Sequence, residues 1–522
     1  MMNAALLLRG IPLLCLAAHV ALAAPQAAPS TSLPSNATQA LDQGSSEGDL
    51  EGFFFHGHKK DKPFLEPPPQ LPLTDSTRFP RRLSPLAAQV YSAVTSISLS
   101  HPKNSPVPAT SIGTSGTITK QVAAYGETDT FIRELIRPAI LEAQYEVFIT
   151  TLIYDPDTLT GKGIRQAILD LDAQLRQNTP EKRVKVYMAI DSIARTFFDK
   201  AAPIVKSLFK DRVEIKPHKV DLPDPDALTN IELRVKNYHL NTLGALHAKM
   251  IIVDGKVLLT GSKNLDGDVP MEFMARFQGP VAFTARQDFL DVWDEPVSDL
   301  PPQANVRTHP SLAIKEVPML NVGTVEGSHM VSHSEHNPQD QAWITLLENA
   351  KSEILIHSPN FVAERAAKLV LDAVRRGVTV KIITSFHQQD FNEKIQPSSI
   401  GDNYKTAKWL FQQLEKDGDK AALDRLRVCW FIGKRVQGNP TPQPDPKEWA
   451  HIKAMFVDQQ IAMFGTGNMD GQSWYHSREN NVLIDDAATT QSVMRTILST
   501  QQSLQFCSHE RKADKKQQVK DE

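Results

Sequence analysis

The order of apolar runs and amphipathic stretches predicts a strand–helix–strand unit in the first half of the chain. Residues 147–154 form a continuous β-prone run, as expected of a strand buried on both faces of a parallel sheet. Residues 164–171 have the apolar spacing of an amphipathic helix, and residues 184–191 form a second strand-like run. A further helix, kinked at Pro138, is predicted over 131–141. This order is the βαβ pattern of α/β proteins.

The same order of elements returns in the second half of the chain. We predict a helix over 341–350, a strand over 353–357, a helix over 363–376 that ends before Gly377, and a strand over 378–384. The repeated unit is far longer than the repeat of a solenoid protein. Two similar α/β lobes that face each other are therefore the expected architecture.

The two halves also share one polar motif, His-x-Lys-x4-Asp followed by Gly-Ser/Thr-x-Asn. Its members are His247, Lys249, Asp254, Ser262 and Asn264 in the first half, and His451, Lys453, Asp458, Thr466 and Asn468 in the second. Apolar residues follow each Lys, so each motif is placed on a strand that turns at its Asp into a second strand. The two-residue period of a strand puts His and Lys on the same side. We expect one active site built from both copies.

This set of side chains suits chemistry at an anionic tetrahedral centre. One histidine can attack phosphorus while the other protonates the departing oxygen. Lys249 and Lys453 can hold the non-bridging oxygens, and Asn264 and Asn468 can add directed donors. An acidic residue bonded to each imidazole would fix its tautomer. Asp254 and Asp458 are kept as supporting members of the site, although a simple turn role remains open for both.

Composition bounds the remainder of the chain. Hydrophobic residues make up 41% and charged residues 22% of the 522 residues, as in a globular protein with a sizeable core. The formal net charge of -3 argues against a strongly basic nucleic-acid coat, while a local basic cleft remains open. From these shifts in composition we predict a signal peptide over 1–23, a Pro/Ser-rich disordered pro-region or spacer over 24–115, a first lobe over 116–300, a linker over 301–340, a second lobe over 341–507 and a charged tail over 508–522.

The N-terminal segment predicts entry into the secretory pathway. A short apolar run follows Arg9 and ends in small residues at 21–23, as in a cleaved signal peptide. No other stretch is long and apolar enough to cross a bilayer, so no transmembrane helix is expected after signal removal. A secreted, vacuolar or lumenal glycoprotein follows, with a glycosylation sequon at Asn36. Cys429 and Cys507 then remain, and the sequence leaves open whether they pair.

The doubled motif resembles that of the phospholipase D superfamily, the two-motif HKD phosphodiesterases, over roughly residues 120 to 500. The resemblance implies two phospholipase D-like α/β lobes in a pseudo-twofold arrangement, with one shared active site at their interface. It also implies a covalent phosphohistidine intermediate, no metal and no other cofactor. His247 would be the nucleophile. His451 would be the general acid and later the base that activates water or an alcohol.

Relatives of this type also carry an acidic residue after the Asn. Glu479 matches the second-half pattern of cardiolipin synthases and bacterial phosphatidylserine synthases, and we expect it to support the histidine of the opposite lobe. Glu272 is the candidate counterpart in the first half, where the pattern after Asn264 is lost. Gln472 stands where many relatives have Arg, which puts any phosphate contact from that position in doubt.

Three functions follow from the resemblance. The leading hypothesis is a phospholipase D-type phosphodiesterase that hydrolyses or transfers the phosphatidyl group of a phospholipid at a membrane surface. The second keeps the chemistry and acts as a nuclease on single-stranded nucleic acid, although no basic stripe with interleaved aromatics is present. The third is a phosphatidyltransferase of the cardiolipin-synthase or phosphatidylserine-synthase type.

Overall fold

The computed structural model describes residues 79–126, 129–193, 213–240, 244–267, 270–300, 315–327, 335–386, 399–431, 449–501 and 505–507. All of them belong to one compact unit, Leu71–Glu522. The predicted signal peptide, the sequon at Asn36 and the charged tail lie outside the described residues. Within the described part of the chain, no helix has the length and apolar character needed to span a bilayer.

Sixteen of the strands in the described residues form one mixed sheet, and two more, β6 and β7, pair with each other. The strands of the first half are β1 (Gly113–Tyr125), β2 (Glu146–Tyr154), β3 (Val184–Ile193), β4 (Val213–Ile215), β5 (Ile231–Asn237), β6 (His239–Leu240), β7 (Gly244–Ala245), β8 (Met250–Val253), β9 (Val257–Gly261) and β10 (Met271–Gln278). Those of the second half are β11 (Val317–Asn321), β12 (Glu353–His357), β13 (Thr379–Ser385), β14 (Leu426–Phe431), β15 (Ala454–Val457), β16 (Ile461–Gly465), β17 (Asn481–Asp485) and β18 (Gln505–Cys507).

The strand order is the same in both directions from the centre of the sheet. Outwards from the centre, the first half runs β1, β10, β9, β8, β2, β3, β5, β4, and the second runs β11, β17, β16, β15, β12, β13, β14, β18. β1 and β11 pair antiparallel at the centre. In each half three inner strands are parallel, as the βαβ pattern predicts. The α/β class is confirmed, and the order is consistent with two similar lobes related by a pseudo-twofold axis.

Helices cover the faces of the sheet. They are α1 (Pro85–Ser100), α2 (Ala109–Ile112), α3 (Arg137–Leu141), α4 (Leu159–Asn178), α5 (Pro280–Trp293), α6 (Pro338–Asn349), α7 (Glu364–Arg375), α8 (Asn403–Asp417), α9 (Lys420–Arg425), α10 (Gly471–Tyr475) and α11 (Ala487–Gln501). A π-helical turn at Ile132–Ile136 leads into α3 next to Pro138, so the predicted helix is irregular where proline removes a donor.

Two apolar clusters fill the separate halves, and a third joins them. The third cluster takes residues from the strands of both motifs, including Met250 of β8 and Phe456 of β15. In it, the rings of Phe273 and Phe464 meet edge to face with centroids 5.2 Å apart. The two motif hairpins therefore share a common core, which fixes their relative position.

The motif hairpins both turn through left-handed backbone. Asp254 and Gly255 have φ of 52° and 61°, and Asp458 and Gln459 have φ of 51° and 55°. Asp and Gly tolerate this region, whereas Gln459 adopts it at a steric cost. The Asp254-Gly255 turn predicted from the sequence is confirmed.

The predicted spacer over 24–115 is wrong for its last thirty residues. Residues 85–100 form α1, which begins at a Ser84 cap and packs against α6. Its buried residues recur at helical spacing, and they join the core of the second half: Ala87, Val90, Tyr91 and Val94. Arg81 donates to the carbonyl of Asp485 and to the carboxylate of Asp486, so the residues before α1 also contact the second half.

The predicted linker also contains regular structure. β11 lies within residues 301–340 and pairs with both β1 and β17, and α6 begins at Pro338. All five residues of β11 are buried, so this segment belongs to the centre of the sheet. The other predicted domain boundaries remain predictions.

The sequence left the pairing of the two downstream cysteines open. Cys429 in β14 is disulfide-bonded, and Cys507 of β18 lies opposite it in the strand register.

Truncation of a buried side chain in α1 tests whether this helix is part of the folded core. We expect Val90→Ala to lower the free energy of unfolding by about 2 kcal/mol, because two methyl groups leave a filled core. Urea unfolding measures the change. Ser92→Ala on the exposed face of α1 is the control and should change stability little. Equal stability of the wild type and Val90→Ala would show that α1 does not dock.

Candidate active site

The residue before each motif histidine is held at the end of a parallel strand. The amide of Leu246 donates to Asp191 Oδ2 at 2.8 Å, at the carboxyl end of β3. In the second half, the amide of Ala450 donates to Ser385 Oγ at 3.1 Å, at the end of β13. Both histidines therefore lie at the carboxyl edge of the sheet, where α/β proteins place their sites.

Each histidine is also held by the backbone of the opposite half. The amide of His247 donates to the carbonyl of Arg478 at 3.0 Å, and the amide of His451 donates to the carbonyl of Met271 at 2.8 Å. The amides of Arg478 and Met271 return bonds to Ala245 and Trp449. The exchange brings the two motifs into one buried region.

The imidazoles are oriented by carboxylates that also come from the opposite half. His247 Nδ1 lies 2.8 Å from both carboxylate oxygens of Glu479, and His451 Nδ1 lies 2.9 Å from Glu272 Oε1. The cross-lobe role expected of Glu479 is confirmed, and Glu272 is its counterpart. A carboxylate at Nδ1 requires the proton there, so Nε2 of each ring carries the lone pair.

The motif hydroxyls contact these carboxylates and therefore act as supporting members of the site. Thr466 Oγ1 donates to Glu479 Oε2 at 2.6 Å, and Ser262 Oγ donates to Glu272 Oε2. Ser473, which the sequence analysis missed, donates to Glu479 Oε1 at 2.6 Å. Its position five residues after Asn468 in the motif is the feature of the sequence that could have identified it. Both carboxylates are thereby held in one orientation.

Both motif lysines are buried beside their histidines. Lys249 Nζ donates to the carbonyl of His247 at 2.6 Å, and Lys453 Nζ donates to that of His451 at 2.5 Å. Burial lowers the pKa of Lys249 to about 8, although nearby carboxylates oppose the change. Burial lowers the pKa of Lys453 well below its ordinary value, and the charge of Lys249 adds to the effect. An anion bound between them would favour both charged forms.

Burial and the lysines keep the imidazoles neutral. Burial lowers the pKa of His451 to about 3, with Lys453 adding to the shift and Glu272 opposing it. Burial also lowers the pKa of His247, and Glu479 opposes it. Burial alone would raise the pKa of Glu272, but His451 and neighbouring lysines bring it down to about 2. A neutral imidazole with a free Nε2 is the form that can attack phosphorus.

Asn264 and Asn468 are buried in the same region. Asn468 Nδ2 donates to Asp470 Oδ2 at 3.1 Å. The side-chain oxygens of both asparagines accept no hydrogen bond from the described residues. The predicted donor role of these amides toward phosphate remains a proposal.

A third lysine distinguishes the first half-site, and the sequence analysis missed it. Lys263 Nζ donates to the carbonyl of Asp266 at 2.8 Å and to its carboxylate at 3.1 Å, with both side chains buried. Gly467 takes this position in the second motif. A Cβ on Gly467 would approach the side chains of Gln339 and Trp343 within about 3 Å, so no larger residue fits there. The two half-sites are thus unequal in charge.

Asp254 and Asp458 do not reach the site, which corrects their inclusion among its candidates. Asp254 lies at the far end of β8 from His247, where its carboxylate accepts the amides of Gln144, Tyr145 and Glu146. Asp458 accepts the corresponding amides of residues 351–353. Each Asp joins its hairpin to the start of the neighbouring parallel strand.

Comparison with known proteins identifies a family match in the second half of the chain. The model of the family described as "Cardiolipin synthase, PLD-like domain" matches residues 343–500, which contain the second motif. Residues 343–500 therefore match a phospholipase D-like domain. The first motif repeats the spacing and geometry of the second in the other half of the chain.

Two curated relatives are bacterial cardiolipin synthases. Cardiolipin synthase A of Buchnera aphidicola subsp. Acyrthosiphon pisum (strain APS) is 25% identical over 260 residues, which cover 46% of this chain and 45% of that protein. The same enzyme of Pectobacterium carotovorum subsp. carotovorum (strain PC1) is 25% identical over 256 residues, with the same shares. The chain thus spans a little under half the length of the curated relatives that it matches.

Two solved structures of bacterial proteins are similar to part of this fold. Phosphatidylserine synthase of Haemophilus influenzae Rd KW20 covers 76% of this chain and 89% of its own, at 15% identity and a TM-score of 0.48. Nuc from Salmonella typhimurium, titled a phospholipase D family member, covers 37% of this chain and 98% of its own, at 14% identity and a TM-score of 0.25.

The predicted location in the secretory pathway is wrong. The curated relatives are bacterial cardiolipin synthases, which are not secretory-pathway proteins. The N-terminal apolar run suggested a signal peptide by its length and small residues alone, and those features do not report a destination. Nothing in the comparisons supports secretion or glycosylation.

Substitution of the turn aspartates separates a structural role from a catalytic one. Asp254→Ala should lower the free energy of unfolding by about 3 kcal/mol, because three amides lose a charged acceptor. Asp458→Ala should cost less, since the amides of Lys351 and Ser352 are exposed to water. Denaturant unfolding measures both. Phosphodiester cleavage per folded molecule should persist in each variant, and its loss in stable Asp254→Ala would restore the aspartate to the site.

The buried histidines predict acid sensitivity. The pKa of His451 is about 3 in the folded chain and about 6.5 when exposed, so only the unfolded chain takes up this proton between those values. The free energy of unfolding is therefore highest above pH 6.5, and it falls by about 1.4 kcal/mol per pH unit as the pH is lowered toward 3. Glu272, whose pKa is lowered to about 2, acts in the same direction below pH 4.5.

His451→Asn should reduce the slope of the unfolding free energy against pH by up to one proton, about 1.4 kcal/mol per pH unit. Urea unfolding at a series of pH values from 4 to 7 measures this slope. Lys381→Met, at a lysine outside the site, is the control and should keep the slope of the wild type over this range. An unchanged slope in His451→Asn would show that the imidazole is charged in the folded protein.

Proposed function

We propose that the protein is a phosphodiesterase of the phospholipase D type that transfers the phosphatidyl group of a phospholipid to an alcohol. The observation that carries this proposal is the pair of His–Glu dyads, each joined across the two halves, with a buried lysine beside each imidazole. The cardiolipin synthase relatives and the matching family model support a phosphatidyl group as the cargo. A membrane surface supplies such a donor.

Two equivalent imidazoles allow a reaction in two displacements. In the first, Nε2 of His247 attacks phosphorus, a P–N bond forms, and the P–O bond to the leaving alcohol breaks. His451 donates the Nε2 proton to that departing oxygen. In the second, His451 takes the proton from the acceptor alcohol, whose oxygen attacks phosphorus as the P–N bond breaks. Donor headgroup and acceptor are exchanged with no net change in charge.

The acid step requires a protonated His451, which is neutral in the free protein. The phosphodiester anion supplies the missing favourable charge. It offsets Lys249 and Lys453, whose positive charges oppose protonation of the ring. Substrate binding and proton uptake are therefore coupled in this proposal. The lysines then face the equatorial oxygens as charge develops on them.

The unequal carboxylates support His247 as the nucleophile. Glu479 accepts hydroxyl bonds from both Thr466 and Ser473, whereas Glu272 accepts one from Ser262. Both oxygens of Glu479 also lie on Nδ1 of His247, whereas only one oxygen of Glu272 lies on Nδ1 of His451. A carboxylate that is fixed by two hydroxyls and faces Nδ1 with both oxygens stabilises the positive charge that His247 gains when its Nε2 bonds to phosphorus.

Transfer and trapping experiments test the proposal together. Vesicles of phosphatidylglycerol with a ³²P-labelled phosphodiester should give labelled transfer product with a primary alcohol, and His247→Asn should abolish it. Quenching at alkaline pH preserves the acid-labile P–N bond. With a labelled p-nitrophenyl ester of phosphatidic acid, whose leaving group needs no acid, the label should accumulate in His451→Asn on a peptide that contains His247, because the second displacement lacks its base. EDTA should leave the rate unchanged.

The controls distinguish the substrate classes. A labelled single-stranded oligonucleotide, offered beside the vesicles, should not be cleaved at a comparable rate. Preferential cleavage of the oligonucleotide would replace the phosphatidyl group by nucleic acid. Label on His451 in place of His247 would reverse the two roles. Full activity in His247→Asn would exclude the covalent mechanism.

A further inference from the structure

The guanidinium of Arg478 is fully buried where the two halves meet. Its Nε and Nη2 donate to Asp288 Oδ1 at 2.9 and 2.7 Å, which makes a forked contact with α5 of the first half. Nη2 also donates to Asp291 Oδ2 at 2.7 Å, and Nη1 donates to Glu326 Oε2 at 3.2 Å. One cation thus joins three carboxylates from two separate segments.

The cluster keeps its charges inside the protein. Burial disfavours the guanidinium charge, but the three carboxylates outweigh it and raise the pKa of Arg478 above its ordinary value. Burial raises the pKa of Asp288, and the contact with Arg478 opposes that change. Asp288 and Arg478 have no exposed side-chain surface, so water cannot replace either partner. Such a pair is rigid because any movement leaves a buried charge unpaired.

The backbone of Arg478 links this cluster directly to one dyad. Its carbonyl accepts the amide of His247 at 3.0 Å, and its amide donates to Ala245 at 2.8 Å. The next residue is Glu479, whose carboxylate lies on His247 Nδ1. A shift of Arg478 would therefore move the imidazole and its carboxylate relative to each other.

The first half makes the same junction without an ion cluster. Met271 takes the place of Arg478, exchanges the corresponding backbone bonds with Trp449 and His451, and precedes Glu272. Its side chain is buried in the apolar cluster shared by the halves. An apolar residue is thus sufficient to form such a junction. The ionic anchor at Arg478 therefore needs a reason beyond folding.

We propose that Arg478, held by Asp288, is a positioning residue that fixes Glu479 against His247. Arg478 thereby sets the orientation of the imidazole ring, which determines the direction in which Nε2 faces phosphorus. It acts on one histidine only, because the His451 dyad has methionine at the equivalent position. The kinetic part of this inference rests on the proposed function, whereas the geometric part does not.

The test replaces the buried ion cluster by uncharged residues of similar size, Arg478→Met with Asp288→Leu and Glu326→Gln. Replacing Arg478 together with its two buried carboxylate partners avoids an unpaired buried charge, since Asp291 is exposed to water, and such replacements commonly preserve the fold. Proton NMR of the low-field Nδ1–H signals measures the two dyads separately, with His247→Asn and His451→Asn as assignments. We expect the His247 signal to shift upfield or disappear and the His451 signal to stay in place.

The kinetic readout is the transfer rate from phosphatidylglycerol vesicles. We expect kcat to fall about 10- to 100-fold with little change in KM, as when an outer partner of a reactive group is lost. Arg478→Lys keeps the charge but not the fork, and it should recover part of kcat. If wild type has no transfer activity, the proposed function fails while the NMR comparison still decides the inference.

A second buried ion pair in the first half provides the matched control. Arg286 Nη2 lies 3.0 Å from Glu146 Oε2, and Glu146 lies at the end of β2 that is remote from His247. Arg286→Met with Glu146→Leu should leave both Nδ1–H signals and kcat unchanged. An unshifted His247 signal in the Arg478/Asp288/Glu326 variant would overturn the inference. Equal shifts of both dyads, or equal shifts in the control, would also overturn it, because they indicate a general loosening of the fold.

Discussion

The site depends on carboxylates that cross from one half of the protein to the other. Glu479 orients the imidazole of the first half, and Glu272 orients that of the second. Neither half could fix the tautomer of its own histidine alone. The exchange of backbone bonds at Arg478 and Met271, and the apolar core shared by the motif hairpins, follow as the means of keeping each carboxylate in place.

The buried charges explain why the arrangement is suited to a bound anion. Two histidines, two glutamates and two lysines are buried in the site, where an unpaired charge is costly. Burial and the lysines lower the pKa of both imidazoles, and burial and Lys249 lower the pKa of Lys453, so the site disfavours further positive charge in the free protein. The negative charge of a bound phosphodiester would offset this effect. Lys263, Asp266 and Arg478 then make the two half-sites unequal.

The sequence predicted those parts of the site that depend on local spacing. The two motif hairpins followed from the apolar pattern, but the motif His and Lys residues precede β8 and β15 and do not lie on a strand as predicted. The contact of Glu479 with the opposite half followed from the family resemblance. The roles of Asp254 and Arg478 did not, because each depends on a segment far away in the chain. Asp254 accepts amides at the start of β2, and Arg478 donates to Asp288 of α5. No local sequence pattern predicts either partner.

The fold was predicted least well where composition hid periodicity. Helix α1 follows a long Pro- and Ser-rich stretch. The overall composition of that stretch predicts disorder and hides the helical spacing of the apolar residues in α1. β11 lies in a polar segment and is too short to predict on its own, yet it pairs at the centre of the sheet. Glu272 was uncertain because the first half lacks three residues found in the second between its Asn and its Glu. Tertiary contacts decided all three.

The crossing of the carboxylates is tested most directly by proton NMR of the Nδ1–H signals in Glu479→Gln and Glu272→Gln. An amide in place of a carboxylate weakens the hydrogen bond to the ring, so the signal of its partner moves upfield. Glu479→Gln should move the signal of His247, and Glu272→Gln should move that of His451. If each substitution moved the signal of the histidine in its own half, or if neither signal moved, the shared site would be contradicted.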